Sequence, residues 1–236
     1  MNFKQNQLVA GIGSALCATF LVASMGVHAA TLRVANQGDA TSMDPHSLNE
    51  SLQLDVTGNV YEPLVTRDKD FKIAPSLATS WKQTSPAVWR FELRKGVQFH
   101  DGTPFTADDV IFSYERAKGD GSDVKNYVGQ IKEIRKINDH VIDVETVAPF
   151  PILPELFTRW YIMSKKWCET NQAVRPVDRR RGIENAASFR ANGTGPYRLR
   201  ERQPNVRTTF SRNGNYWGKI DGNIDDVVFT PIGNDA

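Results

Sequence analysis

Metal-binding side chains are few and far apart in this sequence. Beyond the first thirty residues it has three histidines and one cysteine, which are His46, His100, His140 and Cys168. A zinc site needs several such ligands at short, defined spacings, and no two of these residues are spaced in that way. We therefore expect isolated histidines in turns or on the surface, with no metal ion and no other cofactor.

Signatures of covalent catalysis are also missing. The sequence has no Gly-x-Ser-x-Gly elbow and no Gly-x-x-x-x-Gly-Lys phosphate loop, and its carboxylates are scattered. Gly193-Thr194-Gly195-Pro196 is rich in glycine, but the proline removes an amide donor, which favours a turn before a strand at Tyr197. Arg175 and the run 179–181 are interpreted as a solvated basic loop. These features argue against an enzyme, including a secreted hydrolase.

Composition and charge fit a globular protein. The 236 residues are 40% hydrophobic and 24% charged, which argues against a disordered chain. A net charge of +2 is too small to indicate a nucleic-acid partner. Two cysteines exclude a framework of several disulfides.

Residues 1–29 are predicted to be an export signal. Lys4 is the only charged residue among them, and the stretch from Leu8 to Val27 carries no charge. Val27 and Ala29 are small residues at the two positions that a signal peptidase reads, so cleavage is expected after Ala29. The alternative is a retained membrane anchor.

Two kinds of periodicity predict the elements that would position any site. Alternation of apolar and polar residues indicates strands, and Asn138-Asp139 is expected to join two of them in a hairpin. Thr106 and Asp109 form a Thr-x-x-Asp capping box before apolar residues at helical spacing, and Gly119 ends that helix. The other strands are expected at 32–34, 89–93, 131–137, 141–147, 197–201, 206–212 and 227–229, and short helical segments at 75–81, 154–157 and 165–171. The predicted class is mixed α/β (α+β).

Several motifs in a fixed order are more specific than these periodicities. They are Met43-Asp44-Pro45-His46, Tyr61-Glu62-Pro63-Leu64, Pro75 to Trp81, Trp89 to Arg94, Gly96 to Gly102, Pro104 to Val110, Gly193 to Tyr197, and Asn215-Tyr216-Trp217-Gly218. Together they resemble the family-5 extracellular solute-binding proteins, the oligopeptide, dipeptide and nickel receptors of ABC importers. The resemblance extends over essentially the whole chain after the export signal.

The resemblance implies a periplasmic-binding-protein-like lobe I that contains an inserted subdomain. Carried over, lobe I comprises 31–61 and 171–236, and the inserted subdomain comprises 62–170. Proteins of this family are roughly twice as long, and their second lobe would begin near Pro231, so that lobe is expected to be missing here. The sheet of lobe I should then have an exposed edge.

The implied function is that of a periplasmic substrate-binding component of a peptide-type ABC importer, present as an N-terminal part. Its partners would be a peptide and an inner-membrane ABC permease, with no covalent chemistry. A receptor for nickel chelates, glutathione-like compounds or other small solutes is an alternative. A truncated secreted protein without any remaining transport function is another.

Ligand contacts are predicted from position in the resemblance. The polar connection formed by Asn49, Glu50 and Ser51 follows the Met43–His46 turn and is expected to pair with an extended ligand by strand addition, or to be an ordinary surface loop.

Three residues of the inserted subdomain complete the predicted site. Arg159 would bind a ligand carboxylate through two parallel hydrogen bonds. Tyr127 and Trp160 would supply flat apolar walls, although large aromatic rings more often fill protein cores.

Overall fold

The structure is a computed structural model that describes residues 30–233. Within that range it contains ten strands, five α-helices and one short 3-10 helix at Ala186–Ser188. The strands are β1 (Ala30–Asn36), β2 (Val65–Arg67), β3 (Ile73–Pro75), β4 (Ala78–Ser85), β5 (Val88–Leu93), β6 (Ile131–Asn138), β7 (Val141–Thr146), β8 (Tyr197–Gln203), β9 (Arg207–Arg212) and β10 (Ile224–Pro231). The helices are α1 (Ser51–Thr57), α2 (Ala107–Lys118), α3 (Lys125–Val128), α4 (Leu153–Leu156) and α5 (Lys165–Thr170). The predicted mixed α/β class is confirmed. The export-signal prediction concerns residues 1–29, which lie outside the described range.

The first sheet joins the beginning of the described chain to its end. Its strand order is β1-β10-β9-β8, with β1 parallel to β10 and the other pairs antiparallel. The strands predicted here are confirmed. Among residues 30–233 the edge strands of this sheet are β1 and β8, and Leu32 and Val34 of β1 are 42% and 38% exposed. Such an edge is a site for unwanted strand pairing.

The second sheet has the order β4-β5-β7-β6, and α2 packs against it. The predicted hairpin is confirmed as β6 and β7, and the predicted capping box is present at the start of α2. In that box Thr106 accepts from the first turn of α2, and the Asp109 carboxylate accepts from the Thr106 N–H at 2.9 Å. This reciprocal capping explains why α2 begins where the sequence predicts.

The predicted helical turn at 75–81 is wrong. This segment instead contains the end of β3 and the start of β4. Ala78 of β4 pairs with Leu93 of β5. Leu77 is fully buried and its carbonyl accepts from Arg94 N at 2.8 Å. A short apolar run does not distinguish helix from strand by periodicity, and here the neighbouring strand supplies the hydrogen bonds.

Buried side chains form two separate hydrophobic clusters. The first contains residues between Leu64 and Ile162, including the second sheet and α2. The second combines Ala40–Tyr61 with residues from Met163 to Phe229 and lies against the first sheet. The chain therefore leaves the second cluster after Tyr61 and returns to it at Met163.

A buried ion pair fastens the segment before α1 to helix α2. Arg116 donates to both carboxylate oxygens of Asp44, at 2.7 and 2.6 Å, and both side chains are 0% exposed. Burial alone would raise the pKa of Asp44, but the charge and hydrogen bonds of Arg116 outweigh that effect and lower it. Arg116 also donates to the carbonyls of Ala173 and Arg175, so this pair organises three segments.

Three of the sequence motifs meet at the carboxylate of Glu62. It accepts hydrogen bonds from Thr194 Oγ1, Tyr216 Oη and Trp217 Nε1, each at 2.7 Å. Burial raises the pKa of Glu62 despite these donors. Gly195 N donates to the Val60 carbonyl at 2.8 Å, which brings the glycine-rich turn against the turn that precedes Glu62. These motifs therefore serve the fold.

None of the helices between residues 30 and 233 has the length and apolar character needed to cross a membrane.

Candidate functional site

The predicted residues Asn49 and Tyr127 lie together although they are far apart in sequence. Tyr127 donates its hydroxyl to Asn49 Oδ1 at 2.7 Å, and both side chains are partly buried. The backbone N–H of Asn49 donates to Asp123 Oδ2 at 3.1 Å. We call Asn49, Asp123 and Tyr127 the polar cluster. Asp123 was not predicted, because nothing in its local sequence distinguishes it from an ordinary turn residue.

The polar cluster presents hydrogen-bond donors. Because Asn49 Oδ1 accepts from Tyr127, the amide of Asn49 is turned so that its Nδ2 hydrogens point away from that hydroxyl. Among residues 30–233 no acceptor is hydrogen-bonded to Asn49 Nδ2. An amide held in this way can donate to a peptide carbonyl or to a carboxylate.

Glu50 and Ser51 begin helix α1. The Glu50 side chain accepts from Leu52 N and Gln53 N at 3.0 and 3.1 Å, which makes it the N-cap, and Ser51 is the first helical residue. The N–H of Asn49 is already bonded to Asp123. The Asn49 N–H is therefore not available to an added strand, and strand addition at 49–51 stays a prediction.

Arg159 and Trp160 face different surroundings. Arg159 is exposed, as a residue that pairs with a ligand must be. Trp160 is 0% exposed and its ring centroid lies 5.1 Å from that of Phe157, in the first hydrophobic cluster. The expectation that Trp160 forms an open wall is corrected to a core position, since a large apolar ring gains most from full burial.

A cavity of about 330 Å³ adjoins the polar cluster. Its lining includes Ser47 and Leu48 just before Asn49, and Asp123 itself. The lining residues are Ser47, Leu48, Asp120, Gly121, Ser122, Asp123, Lys125, Asp178, Arg179, Arg180 and Arg181. The predicted basic loop thus forms one wall of the cavity, a placement that the sequence does not reveal.

Two of the histidines are more buried than the sequence predicts. His46 is 0% exposed and its Nε2 lies 2.9 Å from the Tyr161 carbonyl, while His100 Nε2 lies 3.0 Å from the Gly195 carbonyl. Because a carbonyl only accepts, each Nε2 carries the proton and donates. Burial, reinforced by the charge of Arg116, lowers the pKa of His46 to about 4, so this ring is neutral at pH 7.

Residues 30–233 bring no three His, Cys, Asp or Glu side chains together in a way that could hold a metal ion.

A family model described as bacterial extracellular solute-binding proteins, family 5 Middle, matches residues 72–236. The chain belongs to this family.

Several proteins of known function or structure are similar to this chain. The periplasmic oligopeptide-binding protein OppA of Escherichia coli K12 is 25% identical over 99% of this chain and 46% of its own length. The periplasmic binding protein DppA of Helicobacter pylori, solved with the peptide STSA, is 28% identical, with a TM-score of 0.73 over 87% of this chain and 43% of its own. NikZ of Campylobacter jejuni, solved with Ni(L-His), is 21% identical with a TM-score of 0.74 over 86% of this chain and 39% of its own, and shares the fold. The chain spans about half the length of the curated relatives it matches.

Proposed function

We propose that this chain is the peptide-binding first lobe of a periplasmic ABC-importer receptor. It holds its solute by hydrogen bonds and charge and leaves the solute chemically unchanged. The observation that carries this proposal is the polar cluster, in which Tyr127 orients the Asn49 amide beside an open cavity. Family membership and the peptide bound to H. pylori DppA support a peptide as the solute.

The roles of the predicted residues follow from their placement. Asn49 Nδ2 donates to a carbonyl of the peptide, and Tyr127 holds that amide while offering its ring edge to a neighbouring side chain. Glu50 and Ser51 define the start of α1 next to Asn49. Their proposed role is to position Asn49, and they do not contact the solute themselves. Arg159, exposed, is proposed to meet a carboxylate of the solute.

The proposed domain division is lobe I at 31–61 and 171–236, with the inserted subdomain between. The two hydrophobic clusters support this division at Tyr61. Met163 and Cys168 belong to the second cluster. The proposed inserted subdomain therefore ends at about residue 162, and lobe I resumes at about residue 163. A second lobe that closes over the solute by a hinge, as the coverage of the relatives suggests, is part of the proposal.

Export and partnership are also proposed. Residues 1–29 would direct the chain to the periplasm, the compartment that the name of E. coli OppA gives for that protein. An inner-membrane ABC permease would then receive the solute. Chelated nickel is the second proposed solute class, and the structural likeness to NikZ favours it. A peptide and a nickel–histidine complex both carry carboxylate oxygens that can accept from the same donors.

Replacing Asn49 by Ala should weaken peptide binding about fivefold, since one hydrogen bond to the solute contributes about 1 kcal/mol. Nuclear magnetic resonance titration of the 30–236 chain with tripeptides measures this effect. Asn126→Ala is the matched control, because Asn126 is exposed and adjacent to Tyr127 without belonging to the polar cluster. Equal affinities for the two variants would remove Asn49 from the site.

A further inference from the structure

The basic run 179–181 lies at the tip of a hydrogen-bonded turn. Asp178 and Ile183 exchange backbone hydrogen bonds at 3.0 and 2.8 Å, which closes a turn with the three arginines at its tip. Gly182 in this turn has a φ of 66°, a conformation that suits glycine. The turn is anchored at its base because Val177 N donates to the buried carboxylate of Asp44 at 2.8 Å.

The same turn packs against the segment that carries Asp123. A Cβ added to Gly121, whose φ is 84°, would lie 2.9 Å from Asp178 Cβ, so the two segments are in close contact. Arg180 donates to Asp123 Oδ1 at 2.9 Å, while the other oxygen of that carboxylate accepts from Asn49 N. Asp123 therefore connects the arginine turn directly to the polar cluster.

Among residues 30–233, one of the cations that line the cavity has no carboxylate partner. The three carboxylates of the cavity are engaged: Asp123 with Arg180 at 2.9 Å, Asp178 with Arg181 at 3.6 Å, and Asp120 with Lys125 at 3.9 Å. Arg179, which also lines the cavity, lies within 4.0 Å of no carboxylate among residues 30–233. Its guanidinium retains the donor pairs that match a carboxylate.

From this arrangement we infer that the cavity is an anion subsite in which Arg179 binds a carboxylate of the solute, so that the site prefers acidic peptides. This inference rests on the proposed function, because the solute is placed by Asn49. An extended peptide advances by about 3.3–3.6 Å per residue. A side chain one residue from the Asn49 contact therefore reaches toward the cavity that begins at Ser47 and Leu48.

The test compares Ala-Glu-Ala with Ala-Gln-Ala, each with a free and with an amidated C-terminus. Binding of these four peptides to the 30–236 chain is measured by nuclear magnetic resonance titration. We expect the Glu peptide to bind about fivefold more tightly at low salt, the range for an exposed ion pair. The preference should fall as sodium chloride rises to about 0.5 M, because salt screens exposed charges. Arg179→Gln should abolish it. Arg200→Gln, which removes the same charge from an exposed position on β8, should leave it intact.

Each outcome has a defined meaning. A preference for the Glu peptides that is lost in Arg179→Gln supports the subsite. A preference that depends only on the free C-terminus overturns the selectivity for acidic peptides. Equal binding of all four peptides to the wild-type chain, or a preference that survives Arg179→Gln, overturns the subsite and leaves the proposed function standing. Absence of binding by every peptide overturns both.

Discussion

Gly193→Ala should strongly destabilise the folded chain. A Cβ at position 193 would lie 1.9 Å from the Val60 carbonyl oxygen and 2.7 Å from its carbonyl carbon. Both are backbone atoms that cannot rotate away, and that same oxygen already accepts from Gly195 N at 2.8 Å. We expect a loss of about 4 kcal/mol or more in the free energy of unfolding, measured by urea denaturation followed by circular dichroism.

A matched glycine makes this prediction specific. A Cβ at Gly214 would meet no heavy atom within 4 Å, so Gly214→Ala should change the free energy of unfolding by no more than about 1 kcal/mol. If Gly193→Ala and Gly214→Ala were equally stable, the close approach of the glycine-rich turn to Val60 would be incorrect.

Removal of Arg116 should have the next largest effect. Arg116→Met leaves the Asp44 carboxylate fully buried without its cation, a change that costs about 3–5 kcal/mol of stability. It also removes the donor to the Ala173 carbonyl, whereas the Arg175 carbonyl keeps its hydrogen bond from Asn185 Nδ2 at 2.9 Å. Denaturant unfolding of the variant measures the loss.

Helix α2 supplies its own control. Lys118 pairs with Glu115, but these side chains are 44% and 57% exposed, so Lys118→Met should cost less than about 1 kcal/mol. Combining Arg116→Met with Asp44→Asn should cost less than the sum of the single changes, because the double variant no longer buries an unpaired charge. Strict additivity of the two changes would show that Asp44 and Arg116 do not interact as described.

Local signals predicted elements well where they acted within a few residues. The capping box at Thr106 and the alternation of Trp89, Phe91 and Leu93 define α2 and β5 without reference to the rest of the chain. The failure at 75–81 arose because Leu77 and Ala78 obtain their partners from residues 93 and 94, which a local pattern does not contain.

The site was only partly predictable for the same reason. The resemblance selected Asn49 and Tyr127 separately, but their hydrogen bond spans 78 positions and depends on how α3 packs near the start of α1. Asp123 and the arginine turn joined the site through tertiary contacts that have no local signature. Trp160 shows the opposite case, in which a large ring chosen for a ligand wall is used by the core.

Equilibrium dialysis of the 30–236 chain against an unlabelled tripeptide, with mass spectrometry on both compartments, tests the central claim most directly. A single lobe that contacts its solute from one side should retain the peptide with a Kd on the order of 1 mM and return it with its mass unchanged. No excess peptide beside the protein, retention at nanomolar Kd without a second lobe, or a cleaved or modified peptide would each contradict that account.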